Sequence, residues 1–144
     1  MSRAARLMAG LILILVPTIQ FGGYYILKSL SDPNGHYMTN PLRENLERAG
    51  HAHAGVIVLL SLIVQLLADH AALPRPAVWF VRIGLPVSAM LLSAGFFLSV
   101  RGPGPAHVDG MVALVYAGAV LLAVSVLTLA ARLLLSLREA EDRA

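Results

Sequence analysis

Two short segments carry most of the residues able to bind or react. Gly50-His51-Ala52-His53-Ala54-Gly55 presents two imidazoles at alternate positions, and His107-Val108-Asp109-Gly110-Met111-Val112 presents an imidazole and a carboxylate at the same spacing. Aligned at an offset of 56 residues, both follow a loose pattern of His, any residue, His or Asp, small residue, any residue, Val. Neutral imidazoles and carboxylates are ligands for zinc and other borderline divalent ions. His51, His53, His107 and Asp109, with Glu47 as an optional fifth member, therefore form a candidate metal set, and Met38 and Met111 nearby shift it toward copper. Two histidines on different helices, His53 and His107, also suit the two axial positions of haem b, with His51 as a further cofactor-binding candidate.

Geometry limits these options. On a regular helix His51 and His53 point about 200° apart, so both reach one ion only if Gly50 leaves the first turn extended. Glu47 stands four residues before His51, a spacing at which a carboxylate shares a metal with an imidazole or orients its ring. The chain has no cysteine, which removes disulfides, thiolate sites and iron-sulfur clusters.

Four apolar blocks must position these residues. With 144 residues, 58% of them hydrophobic and only 13% charged, the chain has too much core for a water-soluble globular domain. Spans are expected at about residues 7–30, 51–70, 81–100 and 108–131, each close to the roughly 20 residues that cross a bilayer. The expected fold is an all-α membrane protein, a four-transmembrane-helix antiparallel bundle forming a single integral membrane domain over residues 1–144. Arg3 and Arg6 before an apolar run imitate a signal peptide. The absence of a small-x-small cleavage site and continuation past Pro17 to Ile26 read instead as a retained first helix.

The basic residues set an expected orientation. Arg3, Arg6, Arg75, Arg82, Arg132, Arg138 and Arg143 fall on one side and only Lys28, Arg43, Arg48 and Arg101 on the other. Positive charge favours the cytoplasmic side, which places both termini there and His36, His51, His53 and His107 at the outer face. The scatter of these charges is a topology signal and speaks against a nucleic-acid partner. Arg-rich, Lys-poor, Ala- and Leu-rich composition suggests a bacterial plasma membrane.

The first outer loop has its own signals. Ser31-Asp32-Pro33-Asn34-Gly35 is a turn, and Asn40 before Pro41 is an N-cap followed by proline at the first helical position. A short amphipathic surface helix is expected over Pro41 to Ala49, with Arg43–Glu47 and Glu44–Arg48 spaced to pair. Tyr24, Tyr25, Trp79 and Phe80 read as interfacial anchors, His70 as a helix C-terminal residue favoured by the dipole, and Gln20 as a partner for Gln65. Small residues at helical spacing, Gly84 and Ser88, Ala89 and Ser93, Ala119 and Ala123, allow close helix approach.

The His-x-His at a helix head resembles that of bacterial membrane families related to haem-copper oxidase subunits and to nitric-oxide-response haem-copper membrane proteins. It is also similar to small four-helix membrane proteins of bacteria. The resemblance rests on Gly50 to Gly55 and the four-span layout, and it implies haem or copper ligation by His51 or His53. Ala54-Gly55-Val56 departs from the bulkier leucines usual after that motif.

Nucleophile constellations, phosphate-binding glycine loops and a His-Glu-x-x-His motif are all missing from the sequence, so hydrolase chemistry has no support. The expected function is binding of haem b or a copper or zinc ion at the outer face, for electron transfer, sensing or metal handling. The alternative is a non-catalytic accessory subunit of a larger membrane complex or a homo-oligomer.

Overall fold

The computed structural model describes residues 1–35, 37–100 and 107–141. His36 and Arg101, named above, and the C-terminal Arg143 lie outside them. Four long helices account for nearly all of the described chain: α1 (Arg3–Ser31), α2 (Pro41–Leu67), α3 (Arg75–Leu98) and α4 (Ala113–Glu141), the last entered through a single 3-10 turn at Gly110–Val112. The shortest, at 24 residues, is roughly 36 Å long at 1.5 Å per residue and exceeds the hydrocarbon thickness of a bilayer. All four are long and apolar enough to cross a membrane.

Local chemistry starts and stops each helix. The Ser2 side chain accepts the Ala5 N–H at 3.1 Å, and the Asn40 side chain accepts the Arg43 N–H at 3.1 Å ahead of Pro41. Asp109 Oδ1 accepts the Met111 N–H at 2.8 Å and opens the 3-10 turn. The Asp32 turn forms as expected, Gly35 N–H donating to the Asp32 carbonyl at 3.2 Å. Between α2 and α3 the chain reverses through Ala72, whose φ of 45° is left-handed and costs a side-chain-bearing residue about 1 kcal/mol. Arg132 from α4 holds that turn by donating to the Ala72 carbonyl at 3.1 Å.

The first outer loop corrects the sequence reading. There is no separate surface helix over residues 41–49: the segment is the first part of α2, which runs on unbroken through Gly50, His51 and His53. The pairs on it do form, Arg43–Glu47 at 2.9 Å and Arg48–Glu44 at 2.8 Å. Nothing in the segment stops a helix, because the one glycine is buried against Phe96 and Phe97 of α3 and is held by packing.

Consecutive helices run antiparallel. Ser2 at the head of α1 meets Asp69 just past the foot of α2, while Tyr25 near the foot of α1 meets Arg43 at the head of α2. Ser93 of α3 reaches back to the Gly50 carbonyl, and Gly95 and Gly118 bring α3 and α4 into backbone contact. A Cβ on Gly95 would lie 2.7 Å from the Val115 amide nitrogen, and one on Gly118 would lie 2.9 Å from that of Leu92. Without a hydrophobic drive between helices in lipid, such close packing supplies the association.

The packing follows chain order: α1 lies on α2, α2 on α3 and α3 on α4, with a small α1–α3 contact and none between α1 and α4 among the described residues. Two apolar clusters fill the interior. One gathers Ile12, Ile57, Val58, Ala89 and Leu92, the other Val64, Ala71, Val81, Leu85 and Leu129. Because the outer helices do not close on each other, one groove opens between α1 and α3 over α2, and another between α2 and α4 over α3.

Candidate functional site

The regular helix through Gly50 decides where the two adjacent histidines go. His51 turns toward α1 and lines a cleft of about 350 Å³ with Gly22, Tyr25 and Phe97. Its ring lies on the α1 backbone: a Cβ on Gly23 would be 3.0 Å from Cε1 and 3.1 Å from Nε2 of the imidazole. His53 turns the other way and heads the α2–α4 groove of about 370 Å³, lined by Leu60, Leu92, Ala119, Leu122, Ala123 and Val126.

His53 is held in a defined orientation. Its Nδ1 lies 2.7 Å from the Ala49 carbonyl, and its ring centroid lies 5.2 Å from that of Phe96. A carbonyl only accepts, so the neutral imidazole carries its proton on Nδ1 and leaves the Nε2 lone pair available for ligation. His70 makes the same bond to Leu66 at 3.0 Å, but past the far end of α2.

Of the remaining members of the expected metal set, Asp109 and Glu47 have other partners. Asp109 caps the 3-10 turn and its N–H donates to the Ser99 carbonyl at 3.0 Å. His107 is exposed just before it, at the end of the molecule where α2 begins. Glu47, only 2% exposed, is bonded by Arg43 and does not reach out to orient His51. Among the described residues no three His, Asp or Glu side chains are placed to hold one ion.

Arg43 organises the mouth between α1 and α2. Besides Glu47 it donates to the Tyr25 hydroxyl at 2.6 Å, and its guanidinium carbon stands 5.6 Å from the centre of the Tyr37 ring. Tyr37 is 3% exposed, and burial, followed by the nearby carboxylates of Glu47 and Glu44, pushes its hydroxyl up to about 12.

A second polar centre, which sequence reasoning missed, sits at the opposite end. Arg82, counted from sequence among the basic residues of one side, is 2% exposed, and its Nη2 donates to Asp69 Oδ1. Its Nη1 lies 3.3 Å from both the backbone carbonyl and Oε1 of Gln65, and Gln65 Nε2 returns a bond to the Arg82 carbonyl at 3.2 Å. Gln65 thus spends its amide on Arg82, and Gln20 is exposed on α1 instead of being its partner. The Ser2 N–H donates to Asp69 Oδ2 at 2.7 Å, and this bond, with the Ser2 side chain and Arg82 adding to it, holds the Asp69 carboxyl at about 2. The centre ties three helix ends together. The available signal was the spacing of Gln65, Asp69 and Arg82 around a short turn, which a charge count by side passes over.

Compared with protein-family models, curated proteins and solved structures, the chain matches none. Its function is argued from the site alone.

Proposed function

We propose that this chain is a multi-pass membrane protein that binds haem b through His53, with His107 as the second axial ligand, for electron transfer or sensing. One observation carries the reading: His53 presents an Nε2 lone pair at the head of an apolar groove, in a tautomer fixed by the Ala49 carbonyl. The hydrogen bond at Nδ1 raises the basicity of Nε2, and Phe96 packs beside the ring. Ala119 and Ala123 leave the α4 wall low enough for a flat ring, and Leu60, Leu92 and Leu122 keep water from it. Haem, when bound, supplies a one-electron couple or a position for a small gaseous ligand. The residues that line the groove below His53 offer no second donor, and the exposed His107, before α4, would supply the other ligand.

The orientation proposed with it has both termini cytoplasmic and His53 toward the outer face of a bacterial plasma membrane, supported by the bias of basic residues. The test is an absorption spectrum of protein purified from haem-replete cells, oxidised and dithionite-reduced, with elemental analysis of the same sample. A reducible Soret band is expected. His53→Ala loses it with membrane insertion intact, whereas His107→Ala keeps the haem and loses the low-spin bands. A colourless wild-type protein overturns the reading and leaves the accessory-subunit alternative, which predicts a stable membrane partner in mild detergent.

A further inference from the structure

The α1–α3 cleft lies on a different face from the His53 groove and has a chemistry of its own. It runs along α1 from Thr18 to Tyr25, about 10 Å at 1.5 Å per residue, and is apolar for nearly all of that length. Its polar groups are mostly spent. The Thr18 hydroxyl donates to the Leu15 carbonyl at 2.6 Å and the Ser93 hydroxyl to the Gly50 carbonyl at 3.0 Å.

Two groups at one end are not spent. His51 has no hydrogen-bond partner among the described residues, and the Tyr25 hydroxyl, which accepts from Arg43, still has its own proton to give. The imidazole is part-buried and can donate to an acceptor that enters the cleft. At that end the missing side chains of Gly22 and Gly23 let the His51 ring pack on α1, and a Cβ on Gly22 would come into contact with both His51 and Phe97. Phe21 and Tyr24 on the same stretch of α1 are exposed, as expected of a helix facing lipid.

We propose that this cleft binds a lipid-soluble quinone, whose head lies among the residues that line it with a carbonyl oxygen accepting from His51. The chemistry selects this class over the other molecules a bilayer offers. An acyl chain leaves the imidazole unpaired. A phosphate headgroup asks for a free cation, and Arg43 and Arg48 at this end are already paired with Glu47 and Glu44. A quinone brings uncharged acceptor oxygens on a planar ring and an apolar tail that follows Ile19, Ala54 and Ala94 out of the cleft. The inference concerns binding only and stands apart from the haem reading.

The test uses the full chain in nanodiscs, titrated with a radiolabelled decyl-chain benzoquinone against empty nanodiscs. Saturable uptake of one quinone per chain is expected. His51→Phe, which keeps the ring volume and loses the donor, weakens it roughly tenfold, in line with a hydrogen bond of about 1 kcal/mol or more. His51→Gln, which restores a donor, stays within about threefold of wild type. Gly22→Leu fills the cleft and abolishes uptake, whereas Gly55→Ala, on an open face with nothing within 4 Å, leaves it unchanged. Uptake no greater than in empty nanodiscs overturns the inference, and so does equal uptake by wild type and His51→Phe. A colourless protein that binds quinone overturns the haem reading and keeps this one.

Discussion

Arg82 lies about two turns into α3 and Asp69 just past the end of α2, yet the buried guanidinium meets the more open carboxylate in a contact that also reaches the head of α1 through Ser2. Removing the carboxylate strands a buried charge, which costs more than the pair itself contributes. Asp69→Ala, which leaves the buried Arg82 guanidinium on the neutral Gln65 acceptors, is expected to destabilise the protein by about 1–3 kcal/mol. The double variant Asp69→Leu with Arg82→Met recovers most of the loss. Thermal unfolding in one detergent, followed by circular dichroism, compares the three. A single variant as stable as wild type would mean that the contact carries no strain-bearing charge.

The same carboxylate sets an acid limit. Asp69 is held at about 2 in the folded chain against an ordinary 3.8, so as pH falls the unfolded chain takes up its proton first. The stability contributed by the ionised form is complete above about pH 4 and is lost as pH falls from there toward 2. Melting temperature should drop over that window in wild type. In Asp69→Asn, already weaker at neutral pH, the drop should be shallower, and equal slopes would assign the acid sensitivity to other carboxylates.

The α3–α4 seam offers a packing test with an internal control. At Gly95 the obstacle to a side chain is the Val115 backbone nitrogen at 2.7 Å, which cannot swing aside as a side chain can. Gly95→Val should therefore force the helices apart and cost about 1–3 kcal/mol or more. Gly55→Ala, on an open face of α2, should be neutral or stabilising by up to about 1 kcal/mol through helix propensity. The two melting temperatures, measured side by side, should move in opposite directions or differ by several degrees.

The helices were legible in the sequence because their signals are local. Apolar length marks the four spans and Asn40-Pro41 marks the start of α2, whereas Asp109, read as a ligand, turned out to cap the turn into α4. The divergence of His51 and His53 followed from helical period once the helix was known to be regular at Gly50. What could not be read was tertiary. Whether Gly50 breaks or continues a helix depends on Phe96 and Phe97 packing over it, and neither is near it in sequence. Arg82 looked like an interfacial cation because hydropathy cannot say that Gln65 and Asp69 turn toward it. Glu47 looked like a ligand because i,i+4 spacing serves His51 and Arg43 equally, and the stronger charged partner won.

That competition around Glu47 yields a prediction at alkaline pH. Tyr37 is raised to about 12 first by burial and then by the negative charges of Glu47 and Glu44, so neutralising Glu47 removes only the second cause. Tyrosinate absorbance should show one of the four tyrosines titrating late in wild type. In Glu47→Gln that late step should move down while staying above the ordinary value of 10. Because the folded-state value is the higher one, the unfolded chain loses this proton first as pH rises. The contribution of Tyr37 to stability is then complete below about 10 and lost as pH climbs toward 12. Tyr37→Phe removes the late step altogether, and its melting temperature should fall less than that of wild type between those two pH values. If the late step survives in Tyr37→Phe, another tyrosine is the buried one, and the packing of the first loop over Arg43 is not as described.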